Sequence, residues 1–180
     1  APAVAEFTDG ETHYLWGRAY ALATYAKPDV MTDESAGRLW LPDVDRTQRS
    51  QALQRFFHQQ MQSRLVPMLE HWCPKMGVSI TQCRIKSMKT RWGSCNIKQR
   101  RINLSLELAQ KPPACLEMVL VHELVHLFER GHNSRFYRLM DHFLPDWRVA
   151  EMQLKHSPGV CFKTRLFRPE NCEEPSSPQF

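Results

Sequence analysis

No Cys-x-x-Cys pair occurs among the six cysteines (Cys73, Cys83, Cys95, Cys115, Cys161 and Cys172), which argues against a cysteine-rich zinc site. No apolar run reaches the ~18 residues needed to span a bilayer. There is no glycine-rich loop of the P-loop kind and no internal repeat. The chain starts Ala1-Pro2-Ala3-Val4-Ala5, without Met and without the basic-then-apolar pattern of a secretory signal. It therefore reads as a trimmed, cytoplasmic chain with reduced thiols and no membrane partner. Acidic residues are missing between Arg84 and Arg101, where seven basic ones fall (Arg84, Lys86, Lys89, Arg91, Lys98, Arg100, Arg101). That gap localises the net charge of +5 and reads either as a solvated strand face or as an anion-attracting surface.

What is present suits a folded protein. At 42% hydrophobic, 180 residues can bury one real core and are not a disordered chain. Residues 3–26 read as a small antiparallel β-meander, with a hairpin turn at Asp9-Gly10 and a second turn at Gly17-Arg18. Residues 27–46 read as loop around a short strand at 38–41. A long amphipathic helix follows from Thr47 to about Met76, capped by Asp45 or Thr47 and ended by Gly77, with Pro67 expected to kink or split it. Strands are expected at 78–80, 83–90 and 101–104, with Trp92–Asn96 as a turn or irregular edge. A nearly all-apolar helix then spans about 114–130, opened by Pro112-Pro113. Two short helices follow, the first capped by Asn133 or Ser134, the second from Trp147 to about His156. The layout is residues 1–76 as an N-terminal meander and helix, 77–157 as the catalytic region on the same core, and 158–180 as a tail, poorly ordered from about 168.

The chemistry is concentrated in His122-Glu123-Leu124-Val125-His126. Residues i and i+4 of a helix share one face, so two imidazoles can grip one metal ion while the adjacent Glu works on its water. Burying these groups in an apolar helix would be costly without partners. A catalytic zinc usually takes three protein ligands and keeps one position open. His132 is the leading third ligand. A straight helix would carry it about 9 Å past His126, so the chain must fold back, and Gly131 is placed to allow that by accepting positive φ. Glu129 is the alternative ligand or a supporting group. Tyr137, Arg91 and His142 are candidate donors to a developing oxyanion. Cys95, near such a site, is either redox-sensitive or simply packed.

These residues belong to a wider pattern. Arg91-Trp92-Gly93-Ser94-Cys95, Ile102-Asn103-Leu104, Val121 to His126, and His132-Asn133-Ser134 with Phe136-Tyr137 closely resemble the YgjP-like metallopeptidase family. They are more distantly similar to SprT-like and WLM zinc proteases. The resemblance implies an α+β, minigluzincin-like zincin fold with a small antiparallel or mixed sheet on helices. It implies one zinc ion on His122, His126 and His132, with Glu123 catalytic. It also implies a substrate-binding edge around Arg91, Trp92, Gly93, Ser94 and Cys95, with Tyr137 nearby. Val125 stands where family members often carry Ala or Cys, and residues beyond 157 have no counterpart. The expected function is zinc-dependent peptide hydrolysis by a monomer. The alternatives are a nucleoside-triphosphate pyrophosphatase of the UTP type on the same site, and a DNA-associated SprT-like protease or binding protein.

Overall fold

A single helix of 31 residues, α1 (Arg46–Met76), is the longest element of the computed structural model, which describes residues 4–88 and 90–159. Asp45 caps it by accepting from the Gln48 amide at 2.8 Å, and Gly77 ends it in the left-handed conformation (φ 67°). Pro67 does not split the helix. Pro67 and Ser63, whose carbonyl loses its i+4 donor, are both exposed, so water can satisfy that carbonyl. The buried face carries Leu53, Phe57, Met61, Leu65 and Trp72.

The N-terminal sheet packs on α1. It contains β1 (Thr12–Leu15), β2 (Arg18–Tyr25), β3 (Met31–Asp33) and β4 (Arg38–Pro42), ordered β1-β2-β4-β3. Of the antiparallel meander expected over residues 3–26, the β1–β2 hairpin forms, and the sheet as a whole is mixed because β2 and β4 run parallel, Leu22 opposite Leu39. The first hairpin turns at Trp16-Gly17, not at Asp9-Gly10. Trp16 (φ 51°) and Gly17 (φ 79°) both adopt positive φ, the twist that suits a two-residue turn. Gly10 and Glu11 already occupy both main-chain groups of Leu22, so the residues before Asp9 find no strand to extend. Leu22, Leu39 and Leu41 point into the core.

The second sheet is smaller: β5 (Gln82–Lys86), β6 (Gly93–Asn96) and β7 (Arg101–Ser105), ordered β5-β7-β6. β5 pairs parallel with β7 and β6 pairs antiparallel. The stretch 78–80 forms no strand. Within Trp92–Asn96, expected as a turn or irregular edge, residues Gly93–Asn96 form a regular edge strand. A 3-10 helix, Leu106–Gln110, leads into α2 (Pro113–Val125), which runs through the interior with every residue from Met118 to Val125 buried.

α2 stops at Val125, earlier than the expected Arg130. The chain leaves it through i→i+3 bonds from Leu127 to Leu124 and from Phe128 to Val125. Gly131 does not have positive φ, so the return toward His132 needs no left-handed glycine. α3 (Ser134–Phe143) begins at Asn133, whose side chain accepts from the Phe136 amide at 3.1 Å, and α4 (Trp147–His156) packs back on α2. No helix among the described residues is long and apolar enough to cross a membrane. Cys161, Cys172 and the tail lie outside the described residues.

Candidate metal centre and its cleft

The last turn of α2 and the loop to α3 bring three imidazoles together. His122 Nε2 lies 3.0 Å from His132 Nε2, which lies 3.1 Å from His126 Nε2. Tetrahedral coordination with Zn–N bonds of about 2.0–2.1 Å would set ligand nitrogens roughly 3.3 Å apart, so the spacing fits a small metal ion. Burial pushes the pKa of all three down, that of His122 to about 2, with its two histidine neighbours adding to the effect. Neutral nitrogens facing one another this closely repel unless a cation or shared proton lies between them, and burial disfavours the proton. His126 Nδ1–H donates to the Glu129 carbonyl at 3.0 Å, which leaves Nε2 with its lone pair toward the cluster.

Phe136 forms the floor. Its ring centroid lies 4.6, 4.8 and 4.9 Å from those of His122, His126 and His132, and the residue is fully buried. In sequence it looked like one more member of the apolar stripe of α3. The available signals were its place in the family resemblance, beside Tyr137, and its position in the first helical turn after His132. The Asn133 cap therefore fixes the start of α3 and, through it, the surface on which the imidazoles rest.

Glu129 joins the loop, not the cluster. Its carboxylate accepts from the Gly131 amide at 3.3 Å and meets Arg135 Nη1 at 3.3 Å. These contacts hold its pKa below the usual carboxylate range, the Gly131 amide contributing most. The grouping able to hold a metal ion is His122, His126 and His132, without Glu129.

Glu123 is 1% exposed, and its Oε1 has no hydrogen-bond partner among the described residues. Such a buried oxygen normally costs stability. Burial pushes its pKa up to about 8, while the nearby Arg91 charge opposes the rise. Gly93 on β6 presses against it. A Cβ there would lie 2.9 Å from Glu123 Cγ and Oε1 and from Val119 Cγ1, so only glycine lets the edge strand approach the carboxylate this closely. The structure thus gives a tertiary reason for a glycine that resembled a turn residue.

A cleft of about 900 Å³ opens in front of the cluster. Arg91, Ser94, Cys95, Glu123, His126 and His132 line it, together with Asn96, Lys98, Asn103 and Arg130, to which the sequence reading gave no role at the site. Asn103, quoted in the sequence only within Ile102-Asn103-Leu104, gets its place from register: it pairs with Ser94 across β6–β7 and donates to Ser94 Oγ at 3.0 Å. Gly93 sits behind the wall, and Trp92 faces away, with Lys111 Nζ 5.5 Å from its ring. Tyr137 does not line the cleft; its ring stacks on Trp147 at 5.8 Å. His142 lies exposed against Phe143. Cys95 is half-buried, and its thiol is pushed up to about 11, first by burial and then by Glu123, so at neutral pH it is a packed thiol and a poor nucleophile.

Two solved metallopeptidase zymogens resemble parts of this chain. Abylysin of Pyrococcus abyssi is 22% identical, with TM-score 0.44, covering 53% of this chain and 97% of that one. Jannalysin of Methanocaldococcus jannaschii is 18% identical, with TM-score 0.42, covering 52% and 92%. A UTP pyrophosphatase of Escherichia coli (strain K12) is 35% identical over 54 residues, which is 30% of this chain and 32% of that protein. The match thus spans about a third of the curated relative. Residues 1–157 match the metallopeptidase domain of the YgjP-like family in one continuous span. The chain belongs to that family and is a metallohydrolase, with His122, His126 and His132 grouped so that they can hold its metal ion.

Proposed function

We propose that the chain hydrolyses peptide bonds, with one zinc ion held by His122, His126 and His132 and with Glu123 as general base. The observation that carries this is the buried Glu123 oxygen, without a partner among the described residues, beside three converging neutral imidazoles. When bound, zinc supplies Lewis acidity, acidifying water and polarising the group under attack. Glu123 takes the proton released on attack and returns it to the leaving amine. Its carboxyl is raised to about 8 in these surroundings and regains its ionised form beside a cation. Arg91, exposed at the cleft, is the donor placed to meet a developing negative oxygen. The outer edge of β6 can pair with an extended peptide, and Gly93 brings that edge up to Glu123.

The deciding experiment is Glu123→Gln. The variant is expected to keep its metal, measured by elemental analysis, and to lose hydrolysis by roughly 10²–10⁴-fold. Undiminished turnover would refute the assignment.

A second reading, hydrolysis of a nucleoside triphosphate to the monophosphate and pyrophosphate, is favoured by the three cations Arg91, Lys98 and Arg130 in the cleft and by the partial likeness to a UTP pyrophosphatase. Arg100 and Arg101 do not line the cleft; Arg100 Nε donates to the Ser79 carbonyl at 2.6 Å. UTP and peptides assayed side by side separate the readings. Loss of UTP turnover on neutralising Arg91, Lys98 and Arg130 together would favour the second. A DNA-associated role draws on the basic stretch alone, and that stretch is split, with Arg84 and Lys86 on the β5 edge and Arg91 and Lys98 flanking β6 at the other edge.

A further inference from the structure

Every exposed charge that lines the cleft is positive. Arg91, Lys98 and Arg130 are exposed there, and none forms an ion pair among the described residues. The one acid in the lining, Glu123, is buried. A concave wall of unpaired cations focuses a positive potential on whatever enters. Some salt bridges elsewhere use the available partners: Arg49 meets Asp43, Arg135 meets Glu129 and Arg148 meets Asp141. The cleft cations stand apart from that pattern.

Their positions follow the strand. Gly93 marks the point where β6 meets Glu123. Arg91 lies two residues before it. Lys98 lies just beyond the other end of β6, and Arg130 stands on the facing loop. At about 3.3 Å per residue, Asn96 is roughly 10 Å along the strand from Gly93. An extended chain laid on this edge would bring side chains about three residues from the bond under attack within reach of Lys98.

We propose that the cleft selects acidic peptides, with Lys98 and Arg130 as specificity-determining residues that receive carboxylates flanking the scissile bond. The inference rests on the peptidase reading. It adds a sign preference that the metal cluster alone does not require, since His122, His126, His132 and Glu123 act on the bond and not on its neighbours.

The test uses the zinc-loaded full chain and three matched peptide libraries carrying Glu, Gln or Lys at the positions flanking the scissile bond. The expected order in kcat/KM is Glu above Gln above Lys, with roughly tenfold between the first two at low salt and a narrowing gap as salt rises. Reversing both cations (Lys98→Glu with Arg130→Glu) is expected to invert the order. Binding of the same labelled peptides to the Glu123→Gln protein, read by fluorescence anisotropy, should follow the same ranking without turnover. Cleavage with no charge preference, or a preference unchanged in the doubly reversed protein, overturns the inference and leaves the peptidase reading standing. Failure to cleave any peptide, with UTP bound and hydrolysed, overturns both and assigns the cations to phosphate.

Discussion

The molecule buries histidine in two places, for opposite purposes. In the N-terminal sheet, His13 is fully buried on β1, its Nε2 lies 2.6 Å from Glu11 Oε1, and its ring stacks on Phe7 with centroids 5.5 Å apart. A carboxylate two residues away, just before the strand, meets the imidazole directly. At the end of α2 the imidazoles meet one another. The Nε2 atoms of His122 and His132, and of His132 and His126, face each other, and Glu123 keeps an oxygen without a partner among the described residues. Burial alone therefore does not mark a functional histidine. The mark is three imidazole nitrogens converging on one point, close enough to share one ion, which His13 with its single carboxylate neighbour does not offer.

Substitutions can test this contrast, beginning with the histidines themselves. Replacing His122, His126 or His132 by Ala should abolish stoichiometric metal binding and lower hydrolysis by roughly 10³-fold or more. His13→Asn should leave metal content unchanged. Elemental analysis of the four purified variants decides it, and loss of metal on replacing His13 would break the distinction.

Gly93→Ala comes next. The added Cβ would press on Glu123 and Val119 at 2.9 Å, so the edge strand must retreat. Activity is expected to fall roughly 100-fold, as misplacements of about 1 Å do, with the metal retained. Overpacking should cost about 1–3 kcal/mol, measured by denaturant unfolding. Phe136→Ala removes the floor beneath all three imidazoles. It should destabilise by about 3–5 kcal/mol and weaken metal affinity, where an equally buried core residue such as Phe57 should affect stability alone. Chelator competition reads that difference.

The smallest effect concerns pH. Burial lowers the His13 pKa below 6.5, with Glu11 opposing the shift. The unfolded chain therefore binds a proton at His13 that the folded chain resists, and folding stability falls as pH drops below about 6.5 toward the folded-state pKa. The contribution is fully present above 6.5. Metal-free His13→Asn should show a shallower acid-side loss of stability than metal-free wild type, from urea unfolding at pH 5 to 7.5. Identical slopes would remove the proposed role of His13.

The sequence reveals the site more readily than its surroundings. His122, Glu123 and His126 are readable because helical periodicity is local, and His132 because a metal centre needs a third donor within a short loop. Phe136 and Asn103 are less visible, since each acts through a partner that only the fold supplies. Gly93, Ser94 and Asn96 have the composition of a turn, yet the glycine is there for a close tertiary approach. The parallel pairing of β2 with β4 has no local signature, because both strands read as short apolar runs whichever neighbour they take. The early end of α2 at Val125 was hidden by Leu127 and Phe128, which continue the apolar pattern after the helical hydrogen bonding has stopped.

The tip of the β1–β2 hairpin also grips the approach to α2. The Trp16 and Gly17 amides donate to the carbonyls of Ala109 and Gln110 at 2.7 and 3.0 Å, and Gly17 rests so close to Pro112 that a Cβ would fall 2.9 Å from its ring. Two stretches more than ninety positions apart in the chain are thus latched by main-chain bonds immediately before the helix that carries His122. The helix that carries His122 is consequently not an autonomous module. A fragment starting at residue 77 should fail to assemble, a protease nick at the hairpin tip should release the imidazole cluster, and heating should melt the N-terminal sheet and the α2 helix in a single cooperative transition.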